Sequence, residues 1–216
     1  MLKAILFDLD GTLLDTAPEF SHALNQLRQE RGLSPVSLDL IRPAVSHGSA
    51  EVIKVGFNLS DTHPDFAPLK KQFLAIYQKN LGQNTAYFPG IEDLLLKIEA
   101  YGLKWGIVTN KPEFLTLPLL AHFKLNKRVH TVVSGDTLSV SKPDPLPILH
   151  ACEQMSLAPH SCYYVGDAQK DIMAGKAAGV MATFMALYGY LGPQDQPYQW
   201  GADHYIHAPK DILPSA

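Results

Sequence analysis

Short apolar segments rich in β-branched and aromatic residues alternate with amphipathic helical patterns along most of this chain. Strands are predicted at residues 3–7, 103–109, 130–134, 162–166 and 180–185, and helices at residues 91–101, 112–123, 145–155 and 168–178. In the helix predicted at 91–101, apolar residues recur at positions i, i+3, i+4 and i+7. Alternation of strands and helices in this way is typical of an α/β protein with a parallel sheet.

The segment from residue 15 to residue 85 differs from the rest, because it has helical patterns and no convincing strand. Helices are predicted there at residues 20–31, 38–45 and 66–81. A helical block that follows the first strand would lie above the carboxyl edge of the sheet, where open α/β folds bind ligands. We therefore predict a Rossmann-like α/β core at residues 1–14 and 86–216, with an inserted α-helical cap domain at residues 15–85.

The composition limits the classes of partner. The chain has 216 residues, of which 46% are apolar and 18% charged, and its formal net charge is −3. These values are typical of a soluble globular protein, and there is no basic excess for nucleic acid. The apolar run before Asp8 is too short for a secretory leader or a membrane span. We expect a cytoplasmic protein that binds a small molecule and neither nucleic acid nor membrane, and the oligomeric state stays open.

Two carboxylates follow the first predicted strand, in Asp8-Leu9-Asp10-Gly11-Thr12. Alternation along an extended backbone places Asp8 and Asp10 on the same side, near the edge of the sheet. Two close carboxylates resist joint ionisation unless a cation or a shared proton relieves them. A divalent metal would keep Asp8 ionised as a nucleophile, and Asp10 could carry a proton for a leaving oxygen. A helix cap or turn pair is the alternative explanation.

A second acidic pair lies in Gly166-Asp167-Ala168-Gln169-Lys170-Asp171, where a predicted strand passes into a helix. With Asp167 at the strand end and Asp171 in the first helical turn, both carboxylates can face the same metal. Alternatively, Asp167 is a helix cap and Asp171 is solvated.

Thr109, Asn110 and Lys142 lie between the two acidic pairs along the chain. A hydroxyl group and an amide at a strand end can hold phosphate oxygens, and a lysine supplies a positive charge to them. Taken singly, Thr109 is better explained as a strand residue and Lys142 as a surface residue.

Taken together, these motifs closely resemble those of the haloacid-dehalogenase-like hydrolase superfamily, and the resemblance spans the whole chain. The four motifs occur in order as Asp8-x-Asp10-Gly11-Thr12, Thr109-Asn110, Lys142-Pro143 and Gly166-Asp167-x-x-x-Asp171. The helical insertion is similar to the four-helix cap of that family. The run from Phe7 to Thr16 looks like the phosphoglycolate phosphatase branch.

The resemblance implies a phosphatase that works through a phosphoaspartyl intermediate. Asp8 would be the nucleophile, Asp10 the general acid and base, and Thr109 and Lys142 the groups that hold the phosphoryl oxygens. Mg²⁺ would be bound by Asp8, the main-chain carbonyl of Asp10 and Asp167, with Asp171 as a further ligand or a support. An all-oxygen site suits Mg²⁺, and no histidine pair has the spacing of a zinc site.

The substrate is less constrained, because the core groups would contact only the phosphoryl group. Ser46-His47-Gly48-Ser49, between cap helices, is the candidate substrate loop, and His47 the candidate contact to the substrate, although a plain helix–helix turn would explain it equally. His47 departs from the glycine-rich counterpart of phosphoglycolate phosphatases. Segments around Trp105, Ser141 and Tyr188 instead resemble bacterial phosphatases of N-acetylmuramic acid 6-phosphate.

Other functions remain open at this point. A sugar-phosphate mutase of the β-phosphoglucomutase kind shares all four motifs and differs in its cap groups. A non-catalytic protein that binds a phosphorylated metabolite belongs to a different class. A dehalogenase is disfavoured by Asp10, because that reaction would need no second acidic residue as a general acid.

Overall fold

The computed structural model describes residues 1–213. The strands are Ala4–Phe7 (β1), Leu14–Asp15 (β2), Ala86–Tyr87 (β3), Lys104–Val108 (β4), Thr131–Val133 (β5), Cys162–Gly166 (β6), Ala182–Ala186 (β7) and His204–Ile206 (β8). The α-helices are Ala17–Gln29 (α1), Leu38–Val45 (α2), Ser49–Phe57 (α3), Phe66–Lys79 (α4), Ile91–Ala100 (α5), Glu113–His122 (α6), Leu146–Gln154 (α7) and Gln169–Ala178 (α8).

Six of the strands form one parallel sheet in the order β5-β4-β1-β6-β7-β8. Strand β1 lies in the interior of the sheet, and all four of its residues are fully buried. A strand covered on both faces must be apolar throughout, which explains the unbroken run Ala4-Ile5-Leu6-Phe7. The α/β prediction is confirmed, and the five predicted strands are present with their ends shifted by at most two residues.

The sixth strand of the sheet, β8, was not predicted. It pairs with β7 at the edge of the sheet and has only three residues, of which His204 is exposed and Tyr205 half-buried. Such a segment carries no apolar run, so only its hydrogen-bonded register with β7 identifies it as a strand.

Helices α1 to α4 lie between β2 and β3 along the chain, and they pack on one another. Helix α3 was missed, and it contains Gly56, a poor helix former. The glycine lets α1 approach closely, since a Cβ atom at residue 56 would lie 2.4 Å from a methyl carbon of Leu24. Within residues 1–213, none of the helices has the length and apolar character needed to cross a membrane.

A two-stranded antiparallel ribbon forms where the helical segment leaves the core and returns to it. Leu14 pairs with Tyr87 and Asp15 with Ala86. The predicted domain boundaries at residues 14/15 and 85/86 fall within this ribbon and stay a prediction.

The start of α1 is held by a side chain from the far end of the chain. The hydroxyl oxygen of Tyr190 accepts hydrogen bonds from the main-chain N–H groups of Thr16 (2.6 Å) and Ala17 (2.9 Å). The same hydroxyl group donates to Asp15 Oδ1 at 2.9 Å. The first N–H groups of a helix have no partner within the helix, so this phenol replaces a local cap.

We predict that Tyr190→Phe lowers the free energy of unfolding by about 2 kcal/mol, because buried N–H groups lose their acceptor. Tyr198→Phe is the matched control, since Tyr198 is 66% exposed. This substitution should lower the free energy of unfolding by less than about 0.5 kcal/mol. Urea denaturation followed by circular dichroism measures both. Equal stability of the two variants would contradict the capping role.

Candidate active site

The predicted site residues converge at the carboxyl edge of the sheet. Asp8 follows β1, Thr109 follows β4, and Asp167 follows β6, and these three strands are neighbours. Because the strands are parallel, their carboxyl ends meet at one edge. The helix that begins after β6 then carries Asp171 to the same place.

Asp8, Asp167 and Asp171 form a buried carboxylate cluster, in which one oxygen of each lies within 4.8 Å of the others. Their exposed fractions are 6%, 1% and 0%. Burial, together with the charges of Asp8 and Asp171, raises the pKa of Asp167 to about 7. A cation among the three carboxylates would offset this repulsion.

Lys142 places its ammonium group against the same cluster. Its three protons are taken by Val108 O (2.7 Å), Tyr164 OH (2.9 Å) and Asp171 Oδ1 (2.7 Å). Asp8 Oδ1 is a fourth oxygen at 2.9 Å, and this contact is an ion pair without hydrogen-bond geometry. Burial alone lowers the pKa of Lys142, but the carboxylates of Asp171 and Asp8 outweigh it, so the pKa lies well above its usual value. The lysine is therefore a buried cation and not a surface residue.

Asp171 is engaged by the protein on both oxygens. Oδ1 bonds Lys142, and Oδ2 accepts from the main-chain N–H of Ala168 at 3.0 Å, at the start of α8. The carboxylate thus satisfies an N-terminal N–H of the helix while it holds the lysine. The alternative of a solvated Asp171 is wrong.

Asp167 is oriented by donors from three separate segments. Its Oδ2 accepts from Tyr190 N at 2.9 Å and Ser46 Oγ at 3.1 Å, and its Oδ1 accepts from Thr12 Oγ1 at 3.4 Å. Gly11 has φ +86°, and a Cβ atom there would lie 2.2 Å from Asp167 Oδ2. Glycine is thus required by the turn and by the close approach of the carboxylate.

Asp10 lies outside the three-carboxylate cluster and has a different set of partners. Thr16 Oγ1 donates to Oδ1 at 2.7 Å, and Lys111 Nζ lies 3.1 Å and 3.3 Å from the two oxygens. Lys111 also donates to the hydroxyl group of Tyr77 on α4, at 2.8 Å. Sequence reasoning missed Lys111, although it directly follows Thr109-Asn110.

Thr109 and Asn110 line the cavity next to Asp10. The Thr109 hydroxyl oxygen accepts from Lys111 N at 3.2 Å, which leaves the hydroxyl proton available to a ligand. The Asn110 side chain makes two hydrogen bonds to the main chain of Lys142. Asn110 Nδ2 donates to the carbonyl oxygen of Lys142 (2.8 Å), and the N–H group of Lys142 donates to Asn110 Oδ1 (3.0 Å). Asn110 therefore positions the lysine loop through its amide.

A cavity of about 330 Å³ opens between the sheet edge and the helical segment. Asp8 and Asp10 line its core side, and the loop from Ser46 to Ser49 lines its cap side together with Phe20 and Leu74. The structure thus brings His47 to the same cavity as Asp8. Gly48, at φ 84°, allows the tight turn between α2 and α3.

The buried charges of the site do not balance. With all three carboxylates ionised, Lys142 would leave an excess of two negative charges, and the raised pKa of Asp167 reflects this repulsion and the burial of the group. Asp8 Oδ1 is also buried and accepts no hydrogen bond from residues 1–213. Carboxylate oxygens with this excess charge fit a hard divalent cation such as Mg²⁺.

Fold and site together define a capped α/β enzyme with an acidic centre at the carboxyl edge of its parallel sheet. The family model described as haloacid dehalogenase-like hydrolase matches residues 5–185. The chain is 40% identical over 212 residues to the N-acetylmuramic acid 6-phosphate phosphatase of Pseudomonas aeruginosa, covering 98% of this chain and 93% of that protein. It is 41% identical over 210 residues to the phosphoglycolate phosphatase of Xanthomonas campestris pv. campestris, covering 97% and 94%.

The crystal structure of a predicted phosphoglycolate phosphatase from Haemophilus somnus is also similar, with a TM-score of 0.86 and 28% identity over 98% of this chain and 96% of the other. The chain belongs to the haloacid dehalogenase-like hydrolase family and is a phosphatase of that family. Hydrolases of this family generally use Mg²⁺. The predicted family and enzyme class are confirmed, and the non-catalytic alternative is wrong.

Proposed function

We propose that the protein is a magnesium-dependent phosphomonoesterase that forms a phosphoaspartyl intermediate on Asp8. The observation that carries this proposal is the position of Asp8. Of the three clustered carboxylates, Asp8 lines the cavity, whereas Asp167 and Asp171 are not among the lining residues. Asp8 is thus the member of the cluster that can reach a phosphorus atom.

In the proposed reaction, a carboxylate oxygen of Asp8 attacks phosphorus while the bond from phosphorus to the substrate oxygen breaks. Asp10 gives a proton to the departing alkoxide and then takes one from the water that hydrolyses the acyl phosphate. Thr16 and Lys111 hold the Asp10 carboxyl group at the edge of the cavity, in reach of a leaving oxygen.

The remaining groups hold the phosphoryl oxygens and the cation. Thr109 would donate its hydroxyl proton to a phosphoryl oxygen, and Lys142 would supply positive charge. Hydrogen bonds to Asn110 and Asp171 hold Lys142 in position. The cation would be held by Asp8, Asp167 and the main-chain carbonyl of Asp10, with Asp171 acting through Lys142. When bound, Mg²⁺ would neutralise charge on the transferring phosphoryl group.

Asp8→Asn should lower kcat for p-nitrophenyl phosphate by at least about 10³-fold, because the amide lacks the nucleophilic charge. Asp93→Asn, at an exposed position in the first turn of α5, is the control and should retain activity. Wild type should lose activity in EDTA and regain it with added Mg²⁺. Turnover of the Asp8 variant within tenfold of wild type would refute the nucleophile assignment. Release of inorganic phosphate by wild type distinguishes hydrolysis from a mutase reaction, in which the phosphoryl group stays on the product.

Asp10→Asn should cost about 10²–10⁴-fold in kcat for an alkyl phosphate, the usual contribution of general acid–base catalysis. The loss should be smaller for p-nitrophenyl phosphate in the step that forms the intermediate, because that leaving group needs little protonation. Single-turnover kinetics on both substrates measure this step. Equal losses would argue against Asp10 as the acid.

The cavity supports an amino-sugar phosphate as the substrate. Its volume of about 330 Å³ lies within the range of roughly 300–1,000 Å³ for pockets that enclose a multi-atom ligand. Phe20, Val45 and Leu74 give it apolar walls on the cap side. A sugar has apolar ring faces to place against such walls, whereas two-carbon phosphoglycolate has almost none. His47 adds a polar group on the same side.

We therefore expect kcat/KM for N-acetylmuramic acid 6-phosphate to exceed that for phosphoglycolate by at least about tenfold, or roughly 1.4 kcal/mol of transition-state binding. His47→Ala should narrow this gap, because the imidazole would contact the sugar. Steady-state kinetics with both substrates measure the ratio. A tenfold preference for phosphoglycolate would overturn the amino-sugar assignment.

A further inference from the structure

Three lysines line the cavity, and two of them already have partners. Lys111 is paired with Asp10, and Lys170 donates to the main-chain oxygen of Ser46. The third, Lys70, makes neither a hydrogen bond nor an ion pair with any group in residues 1–213. Lys170 is thus held by a neutral carbonyl group and Lys111 by a carboxylate, whereas Lys70 is the cavity lysine with no partner among residues 1–213.

Lys70 belongs to the cap side of the cavity. It lies in the first half of α4, between the buried residues Leu69 and Phe73, and is itself half-buried. The next residue, Lys71, is exposed and does not line the cavity. Two adjacent lysines on one helix thus have different surroundings, and only Lys70 is placed to meet a ligand.

We infer that Lys70 forms a subsite for a second anionic group of the substrate, a carboxylate remote from the phosphoryl group. This inference rests on the proposed function, in which Asp8 fixes the phosphoryl group at the core side. The rest of the substrate must then extend towards the cap, where Lys70 and His47 lie.

The chemistry of the subsite favours a carboxylate. A single ammonium group acts as a point charge, which suits one carboxylate without the bidentate fork of an arginine. Partial burial weakens the competition from water, so the contact is stronger than an ion pair on the surface. N-acetylmuramic acid 6-phosphate carries such a group on its lactyl ether, and N-acetylglucosamine 6-phosphate differs from it by the absence of that ether.

The test compares wild type, Lys70→Gln and Lys71→Gln on N-acetylmuramic acid 6-phosphate and on its lactyl carboxamide, which keeps the shape and removes the charge. Wild type should prefer the acid by at least tenfold in kcat/KM, mainly through KM. Lys70→Gln should lower the ratio of acid to amide at least tenfold. Lys71→Gln should leave the ratio within twofold of wild type.

Equal use of acid and amide by wild type would overturn the subsite, as would an unchanged ratio in Lys70→Gln. A ratio that falls equally in both lysine variants would assign the effect to general surface charge and would also overturn it. Hydrolysis of p-nitrophenyl phosphate by wild type with Mg²⁺ is the separate check on the proposed function. If wild type hydrolyses p-nitrophenyl phosphate but uses N-acetylmuramic acid 6-phosphate and its lactyl carboxamide equally well, the subsite is refuted and the proposed function stands.

Discussion

The ammonium group of Lys142 joins segments that are far apart along the chain, since it contacts the end of β4, the side chain of Tyr164 on β6, Asp171 on α8 and Asp8 after β1. Removing a cation from water is costly, and here the carboxylates repay that cost. Lys142 in turn favours the ionised form of Asp171, which lies 2.7 Å from its ammonium group. The parallel sheet brings these segments to one edge, and this pairing links their side chains into one site.

The helical segment is tied to the core by contacts that lie close to the reaction centre. Ser46 bonds Asp167, and Tyr77 bonds Lys111, which holds Asp10. Under the proposed function, groups from the core would hold the phosphoryl group common to all phosphate esters, and groups from the cap would contact the rest of the substrate. Such a division would be consistent with relatives of about 40% identity that carry the names of phosphatases for different substrates.

Much of this arrangement follows from local sequence. The apolar runs predicted five strands, and the rule that parallel strands share a carboxyl edge brought Asp8, Thr109 and Asp167 together. The spacing of Asp167 and Asp171 placed both at one site, as the structure has them. Helix α3 and strand β8 were missed, because one depends on close packing against Leu24 and the other on pairing with β7. Neither interaction leaves a periodic pattern in the sequence.

The sequence by itself determined the class of fold, the family and the acidic residues of the site, because these depend on residue type, periodicity and position after a strand. Only the tertiary structure decided that Lys142 is buried among carboxylates, that Lys111 holds Asp10 and that Lys70 has no partner in the cavity wall. A lysine has the same side chain in each case. Its solvation and its neighbours are set by contacts between elements far apart in the chain, and those contacts decide whether its charge is neutralised within the fold or is available to a ligand.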